Sequence, residues 1–350
     1  LEGETRPAEA QSSTLRSTLG LIGVIRSGFL GRLIMTNRLL LAVRVLFFTC
    51  TALIALNGHS AGLTDEVSHH FADNDGVKIH YVKAGNGPLV VMIHGFPDYW
   101  YSWREQMNGL KNHFTVVAID QRGYNRSDQP DGVDAYAMHH LVGDVLAVIR
   151  DTGFARATVV GHDWGGAVAW QVAFNAPDAV TNLVILNLPH PNGMARELAN
   201  NPEQQRNSGY ARKFIAGSAS DPDIMFGGPM TPSTLASWVT DPAAKPLSEA
   251  AVARSSFAGM LNFYKANYPT PDQPSPVASS SPMPKLPMPL LIFHGLRDTA
   301  LHSDGLNNTW DWVDNDMTLV TTPKANHFVQ QDAADLVTRT MRWWLLDRRD

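Results

Sequence analysis

The stretch Val160-Gly161-His162-Asp163-Trp164-Gly165-Gly166 decides the fold of this chain. A largely apolar run (156–160) precedes it, and an apolar run with helical spacing (167–174) follows it. The pattern predicts a buried strand, a sharp turn and a helix, with Asp163 at the tip of the turn. Glycine two positions before and two positions after Asp163 suits such a turn, because a side chain there would crowd the strand against the helix.

The chemistry of this turn depends on the charge of Asp163. The N-terminal end of a helix favours an anion, so we expect Asp163 to stay ionised. A carboxylate needs no base to become a nucleophile. Taken alone, however, the pattern also fits a glycine-rich turn whose aspartate only caps the helix, so the other chemical groups of the chain must decide.

Apolar runs on both sides of this stretch predict alternating strands and helices. The segment 71–82 is typical of two strands joined at Asp75-Gly76. Further strands are predicted at 88–93, 116–119, 180–186, 290–293 and 317–320, and helices at 136–149 and 329–346. Strands that alternate with helices indicate an α/β fold with a mostly parallel sheet covered on both faces.

The alternation stops between about residues 188 and 267, where helical segments occur without a clear strand. Eight prolines between Pro269 and Pro289 then predict a stiff loop that cannot be helical. We therefore predict a core made of residues 62–187 and 286–350. Residues 188–285 are predicted to be a helical lid, with its proline-rich return loop, inserted between two strands of the sheet.

The first 61 residues differ in composition from the remainder. They contain six of the 28 basic and three of the 33 acidic side chains, which leaves 22 basic and 30 acidic side chains and a net charge of −8 for the remainder. That charge disfavours nucleic acid as a partner of the folded part. The only cysteine is Cys50, so the sequence contains no disulfide framework and no cysteine metal site.

Residues 1–61 are predicted to be an N-terminal targeting region. A basic segment begins at Met35, an uncharged apolar segment follows at 45–56, and small polar residues come next, which is the layout of a signal peptide. The apolar segment is too short to cross a bilayer, so we expect no stable membrane insertion of the mature chain. Met35 is the predicted true start, and we expect export to the periplasm or the medium; without a functioning signal the protein would be cytoplasmic.

An acid and a histidine follow the last two predicted strands. Asp298 comes just after the strand at 290–293, and His327 comes just after the strand at 317–320. The carboxyl ends of parallel strands share one edge of the sheet, so both should lie near Asp163. Asp304 and Asp311 lie farther into the following segment and are poorer candidates for the acid.

Longer motifs resemble one family, the epoxide hydrolases of the α/β-hydrolase fold. The similarity lies in His94-Gly95-Phe96-Pro97-Asp98-Tyr99-Trp100-Tyr101-Ser102-Trp103-Arg104, in Asp120-Gln121-Arg122-Gly123-Tyr124-Asn125-Arg126-Ser127-Asp128 and in Gly161-His162-Asp163-Trp164-Gly165-Gly166. The similarity extends over about residues 68–350. Several of these motifs, taken singly, are shared with haloalkane dehalogenases. The order of nucleophile, acid and histidine is also that of this fold.

The resemblance implies further site residues. The backbone N–H groups of Phe96 and Trp164 would form an oxyanion hole, and both side chains would contact substrate. Tyr210 and Tyr264 match the two lid tyrosines that hold the epoxide oxygen, and Tyr268 is the alternative to Tyr264. The second site at which the fold can carry its acid, after the strand 180–186, holds Asn187, which cannot be that carboxylate.

The resemblance implies a two-step reaction. Asp163 would attack an epoxide while the tyrosines protonate the oxygen, and His327, oriented by Asp298, would activate water to release a vicinal diol. The partners are then a small epoxide and water, with no cofactor and no metal. Two alternatives remain, a haloalkane dehalogenase, which would favour Asn where Phe96 stands, and a catalytically idle ligand receptor. The natural epoxide and the oligomeric state are left open.

Overall fold

The computed structural model describes residues 63–269 and 283–349. Eight strands form one sheet: β1 (Ser68–Asn74), β2 (Val77–Ala84), β3 (Leu89–Ile93), β4 (Thr115–Ile119), β5 (Ala157–His162), β6 (Val180–Leu186), β7 (Leu290–Gly295) and β8 (Met317–Thr322). Their spatial order is β1-β2-β4-β3-β5-β6-β7-β8. Strand β2 is antiparallel to β1 and β4, and the other neighbouring strands are parallel. The predicted α/β-hydrolase fold with a mostly parallel sheet is confirmed.

Twelve α-helices lie in the described residues: α1 (Leu63–Glu66), α2 (Arg104–Leu110), α3 (Met138–Asp151), α4 (Trp164–Asn175), α5 (Pro191–Asn200), α6 (Pro202–Asn207), α7 (Gly209–Ala216), α8 (Pro232–Leu235), α9 (Ala244–Ala253), α10 (Phe257–Asn267), α11 (Val329–Asp332) and α12 (Ala334–Leu346). Short 3₁₀ helices lie at Trp100–Trp103, Asp134–Tyr136, Pro177–Ala179, Ser303–Leu306 and Thr309–Trp312. No helix within the described ranges is long and apolar enough to cross a membrane.

The central strands are buried on both faces, and successive side chains enter two different cores. Val91 belongs to the same core as Val145 of α3 and Val168 of α4. Its neighbour Val90 belongs to the core that contains Met107 of α2 and Trp344 of α12. This alternation follows from the two-residue repeat of a strand, and it explains why these strands are apolar runs rather than alternating patterns.

Helices α5 to α10 all lie between β6 and β7 along the chain. Four of them begin at a polar side chain that accepts a hydrogen bond from a free backbone N–H group. Asn201 accepts hydrogen bonds from the first turn of α6, and Ser256 accepts one from Gly259 of α10. In the described part of residues 188–285, the only strand-like pairing is an isolated bridge between Met225 and Gly228.

One predicted helix differs from the structure, and two predicted segments lie outside the residues that the structure describes. The single helix predicted at 329–346 is divided into α11 and α12, because Ala333 departs from helical dihedral angles, with φ −128° and ψ 39°. The predicted targeting region 1–61 and most of the proline-rich return loop lie outside the described residues. Their boundaries, like those of the lid, stay predictions.

Candidate active site

Asp163 stands at a sharp turn between β5 and α4. Its backbone has φ 53° and ψ −122°, a conformation that residues other than glycine rarely adopt. A Cβ atom on Gly161 would collide with the carbonyl oxygen of Gly165, and one on Gly95 would collide with the Asp163 side chain itself. The glycines that the sequence places here are therefore needed for close packing, and the strained turn presents the Asp163 carboxylate at the carboxyl edge of the sheet.

The loop after β3 supplies a hydrogen-bond donor to this carboxylate. The Phe96 backbone N–H donates to Asp163 Oδ1 over 2.8 Å. The loop is closed by a hydrogen bond of 2.9 Å from the Asp98 N–H to the Gly95 carbonyl oxygen. The backbone N–H of Trp164, the next residue in the chain, helps to lower the pKa of the Asp163 carboxyl. Of the two predicted oxyanion-hole donors, Phe96 therefore forms a hydrogen bond to Asp163 in the resting structure.

His327 lies between the two aspartates. Its Nδ1 is 2.8 Å from Asp298 Oδ2, and its Nε2 is 3.5 Å from Asp163 Oδ2. The Asp298 side chain is almost fully buried, and the Asp163 side chain is largely so. The structure thus brings together the predicted nucleophile, histidine and acid, in the geometry of a base held by a carboxylate.

Burial and charge act against each other on these three groups. Burial alone would lower the pKa of His327, but the negative charges of Asp298 and Asp163 and the hydrogen bonds to them raise it. Burial alone would raise the pKa of Asp163 and of Asp298, but His327 holds both below their ordinary values. The resting site therefore contains two carboxylates around an imidazolium.

Asn187, which follows β6, is a site residue whose role the sequence did not reveal. Its Nδ2 donates to Asp298 Oδ2 over 2.7 Å, and its Oδ1 accepts the Gly295 N–H over 3.2 Å. Like Asp163, it has a positive φ, here 42°. Asp298 Oδ1 accepts two more hydrogen bonds, from the N–H groups of Ala300 and Leu301. A carboxylate with four donors, including His327, is held in one orientation.

His162 is a second site residue whose role the sequence did not reveal. It is fully buried beside His327, and its Nε2 is 2.8 Å from the His327 carbonyl oxygen. Burial lowers the pKa of His162 to about 4, so it is neutral near pH 7 and can donate to that carbonyl. Its place in the turn motif, one residue before Asp163, is the only signal by which the sequence could have indicated this role.

Tyr210 of α7 and Tyr264 of α10 face Asp163 from the helical insertion. The two rings are 6.0 Å apart in an edge-to-face arrangement. Burial raises the pKa of both hydroxyls well above the ordinary value. The Trp164 and Tyr264 rings pack edge to face, with centroids 5.0 Å apart. Tyr268, the predicted alternative, lies next to Tyr264 with ring centroids 6.2 Å apart.

Two pockets meet at Asp163, Tyr210 and Tyr264, which line both of them. The narrow pocket has a volume of about 120 Å³ and is walled mainly by apolar side chains, such as Met138 and Leu188, and by Tyr268. The wide pocket has a volume of about 630 Å³ and is lined by His327 and by four aromatic side chains: Phe96, Phe226, Trp238 and Phe328. Trp164 lines the narrow pocket.

The strand order, the strained turn that carries Asp163, and the carboxylate–histidine pair together define an α/β hydrolase. A family model described as the alpha/beta hydrolase fold matches residues 88–334. This hydrolase has aspartate at the position of the nucleophile, with two tyrosines opposite it.

Comparison with named relatives shows to which family of α/β hydrolases the chain belongs. The chain is 31% identical to epoxide hydrolase 1 of Caenorhabditis elegans over 77% of this chain and 68% of the relative. It is 31% identical to epoxide hydrolase 3 of Xenopus tropicalis over 78% of this chain and 76% of the relative. The crystal structure of a Bacillus megaterium epoxide hydrolase in complex with an inhibitor matches with a TM-score of 0.70 and 29% identity, over 79% of this chain and all of that one. The chain belongs to the epoxide hydrolase family of α/β hydrolases.

Proposed function

We propose that this hydrolase opens an epoxide to a vicinal diol through a covalent ester on Asp163. The observation that carries this proposal is the position of Asp163, with Tyr210 and Tyr264 opposite it and His327 beside it in the same cavity. A nucleophile, two proton donors and a base are the groups that the two steps need.

In the first step, Asp163 attacks a carbon of the epoxide. Its Oδ1 is occupied by the Phe96 N–H, which leaves Oδ2 as the attacking atom. The C–O bond of the epoxide breaks, and the oxygen takes a proton from Tyr210 or Tyr264. A proton donor is needed because an alkoxide is a poor leaving group. Both tyrosines keep their protons near neutral pH, because burial raises their pKa.

In the second step, His327 removes a proton from water, and the resulting hydroxide attacks the ester carbonyl. The acyl–oxygen bond then breaks, the departing diol oxygen takes the proton from His327, and the proton of the re-formed Asp163 carboxyl returns to the ionised tyrosine. The former Oδ1 becomes the oxyanion, which accepts hydrogen bonds from Phe96 and Trp164. Each such donor contributes roughly 3–4 kcal/mol in comparable sites. Esterification removes the negative charge of Asp163 beside His327, so the pKa of the imidazole falls at the stage when it must act as a base.

Haloalkane dehalogenation has less support from the same contacts. A halide leaves as a stable anion and needs hydrogen-bond donors rather than a proton. Position 96 is phenylalanine, whose side chain offers no hydrogen-bond donor to a halide. A role as a ligand receptor without catalysis also has less support. A receptor needs no histidine such as His327, whose Nδ1 lies 2.8 Å from the buried carboxylate of Asp298.

The test is a single turnover of an aryl epoxide in ¹⁸O-labelled water. We expect the label to enter the Asp163 carboxylate first, and the diol of that turnover to carry ordinary oxygen. Asp163→Ala should fold normally and give no diol. Direct labelling of the first diol would show that water attacks the epoxide and would refute the covalent mechanism. Bromide release from a bromoalkane at a rate similar to diol formation would favour the dehalogenase.

A further inference from the structure

Phe226 has a backbone conformation that its side chain does not suit. Six residues other than glycine have positive φ among the described residues: Asp75, Asn125, Asp163, Asn187, Phe226 and Asn308. Five of them are aspartate or asparagine, whose short polar side chains tolerate this region. A bulky residue there, with φ 45° for Phe226, is an outlier that costs stability.

The outlier stands at the tip of a tight turn. Met225 and Gly228 exchange two backbone hydrogen bonds of 2.7 and 2.8 Å, and the two residues between them both have positive φ. Turns of this kind prefer Asn-Gly or Gly-Gly at the centre, and here the pair is Phe226-Gly227. The ring is 79% exposed, more than any other large hydrophobic side chain described, so burial in a core does not offset the strain.

The strained backbone of Phe226 places its ring at the wide pocket. Phe226 lines the wide pocket, and its ring centroid is 6.0 Å from that of Tyr210. In the wall of the same pocket, Trp238 and Phe328 stack in parallel, with centroids 3.7 Å apart. Phe96 lines this pocket as well. The wide pocket is therefore lined by aromatic faces and edges from several elements, and Phe226 is the one that solvent reaches most freely.

We propose that Phe226 is a specificity-determining residue that covers an aryl substituent of the substrate in the wide pocket. The inference rests on the proposed epoxide opening and names its substrate class, an epoxide whose larger substituent carries an aromatic ring. Aromatic rings pack against one another in edge-to-face and offset arrangements, and these add to the burial of apolar area. A substrate ring would also cover the exposed face of Phe226.

The experiment compares phenyl glycidyl ether with 1,2-epoxypropane, which has no ring. Phe226→Ala should lower kcat/KM for the aryl epoxide by about tenfold, and for the small epoxide by less than about twofold. Phe226→Tyr, which keeps the ring, should retain the preference. Phe226→Asn should lose the aryl preference and raise Tm by about 2 °C, because asparagine suits the turn. A merely structural residue would not couple lower selectivity to higher stability.

The matched control is Phe71→Ala. Phe71 is also an exposed phenylalanine, at 51%, but it lies on β1 and lines neither pocket of the site. This variant should leave both kcat/KM values unchanged. Equal losses on the two epoxides in Phe226→Ala, or no loss on either, would overturn the proposal.

A binding measurement separates this inference from the proposed function. The affinity for 3-phenoxypropane-1,2-diol can be measured by calorimetry without turnover. Phe226→Ala should raise the dissociation constant of this diol about tenfold. If the wild type opens neither epoxide but Phe226→Ala still binds the diol about tenfold more weakly than the wild type does, the proposed function fails and the aryl contact stands. If both epoxides are opened and the affinity is unchanged, the aryl contact fails and the function stands.

Discussion

Replacing Tyr210 and Tyr264 together with phenylalanine should slow the alkylation of Asp163 by about 10²–10⁴-fold, the usual range of general acid catalysis. This corresponds to about 3–5 kcal/mol of activation free energy at 1.36 kcal/mol per factor of ten. Either single variant should lose less, because both hydroxyls face the same nucleophile and one donor remains.

The substitutions keep the packing of the site. Tyr264 is 2% exposed, and its ring lies 5.0 Å from the rings of Phe214 and Trp164. Phenylalanine preserves these ring contacts, so the variant should fold. Because burial raises the pKa of both tyrosines, they keep their protons to a higher pH than an exposed tyrosine. Alkylation in the wild type should therefore not decline through tyrosine ionisation up to a pH of about 10, the ordinary value.

The assay is rapid quenching followed by intact mass spectrometry, which reads the rate at which the epoxide adds to the enzyme. Tyr136→Phe is the matched control, since Tyr136 is fully buried but lines neither pocket, and its alkylation rate should equal that of the wild type. Wild-type alkylation in the double variant would refute the acid role of the tyrosines and favour a leaving group that needs no proton.

Three further predictions concern the second step and the N-terminal region. His327→Gln should still be alkylated, and the ester should accumulate as an adduct of intact mass. Ester hydrolysis in the wild type should become faster as the pH rises, because it needs neutral His327, whose pKa Asp298 still raises after Asp163 is esterified; a pH-independent rate of this step would contradict the base role. Asn187→Ala should slow ester hydrolysis by about tenfold, through loss of a hydrogen bond to the charged Asp298, with alkylation unchanged as the internal control. Expressed from Met35 in a bacterial host, the mature protein should begin near Ala61, and an intact N-terminus in the cytoplasm would contradict the predicted signal peptide.

Local sequence was sufficient for the sheet and for the elbow around Asp163. Buried parallel strands must be apolar on both faces, so they appear as short continuous apolar runs, and the predicted strand 180–186 coincides with β6. Glycines at fixed distances from Asp163 reveal the turn because backbone atoms occupy the space that their side chains would need. The strands and the turn can be predicted because they depend on adjacent residues or on a repeating pattern of apolar residues, and both are visible in the sequence.

The topological positions of Asp298 and His327 were also accessible from the sequence. In a parallel sheet the carboxyl ends of the strands lie at one edge, so residues far apart in the chain can be assigned to one site. The sequence could predict that these side chains are near Asp163. It could not predict that one Asp298 oxygen accepts hydrogen bonds from the following loop, whereas Asn187 and His327 bind the other.

The roles of Asn187 and Phe226 were decided only by the tertiary structure. Asn187 follows β6, where the fold can carry its catalytic acid. An amide at that position indicates no role in the sequence, and its role is seen only from the hydrogen bond of 2.7 Å between Asn187 Nδ2 and Asp298 Oδ2. Phe226 lies in a segment without helical or strand periodicity, and its positive φ and its place at the wide pocket depend on how the inserted helices pack. Periodicity and turn motifs encode the backbone of regular elements, whereas the partners of a single polar or exposed side chain are set by contacts between distant segments.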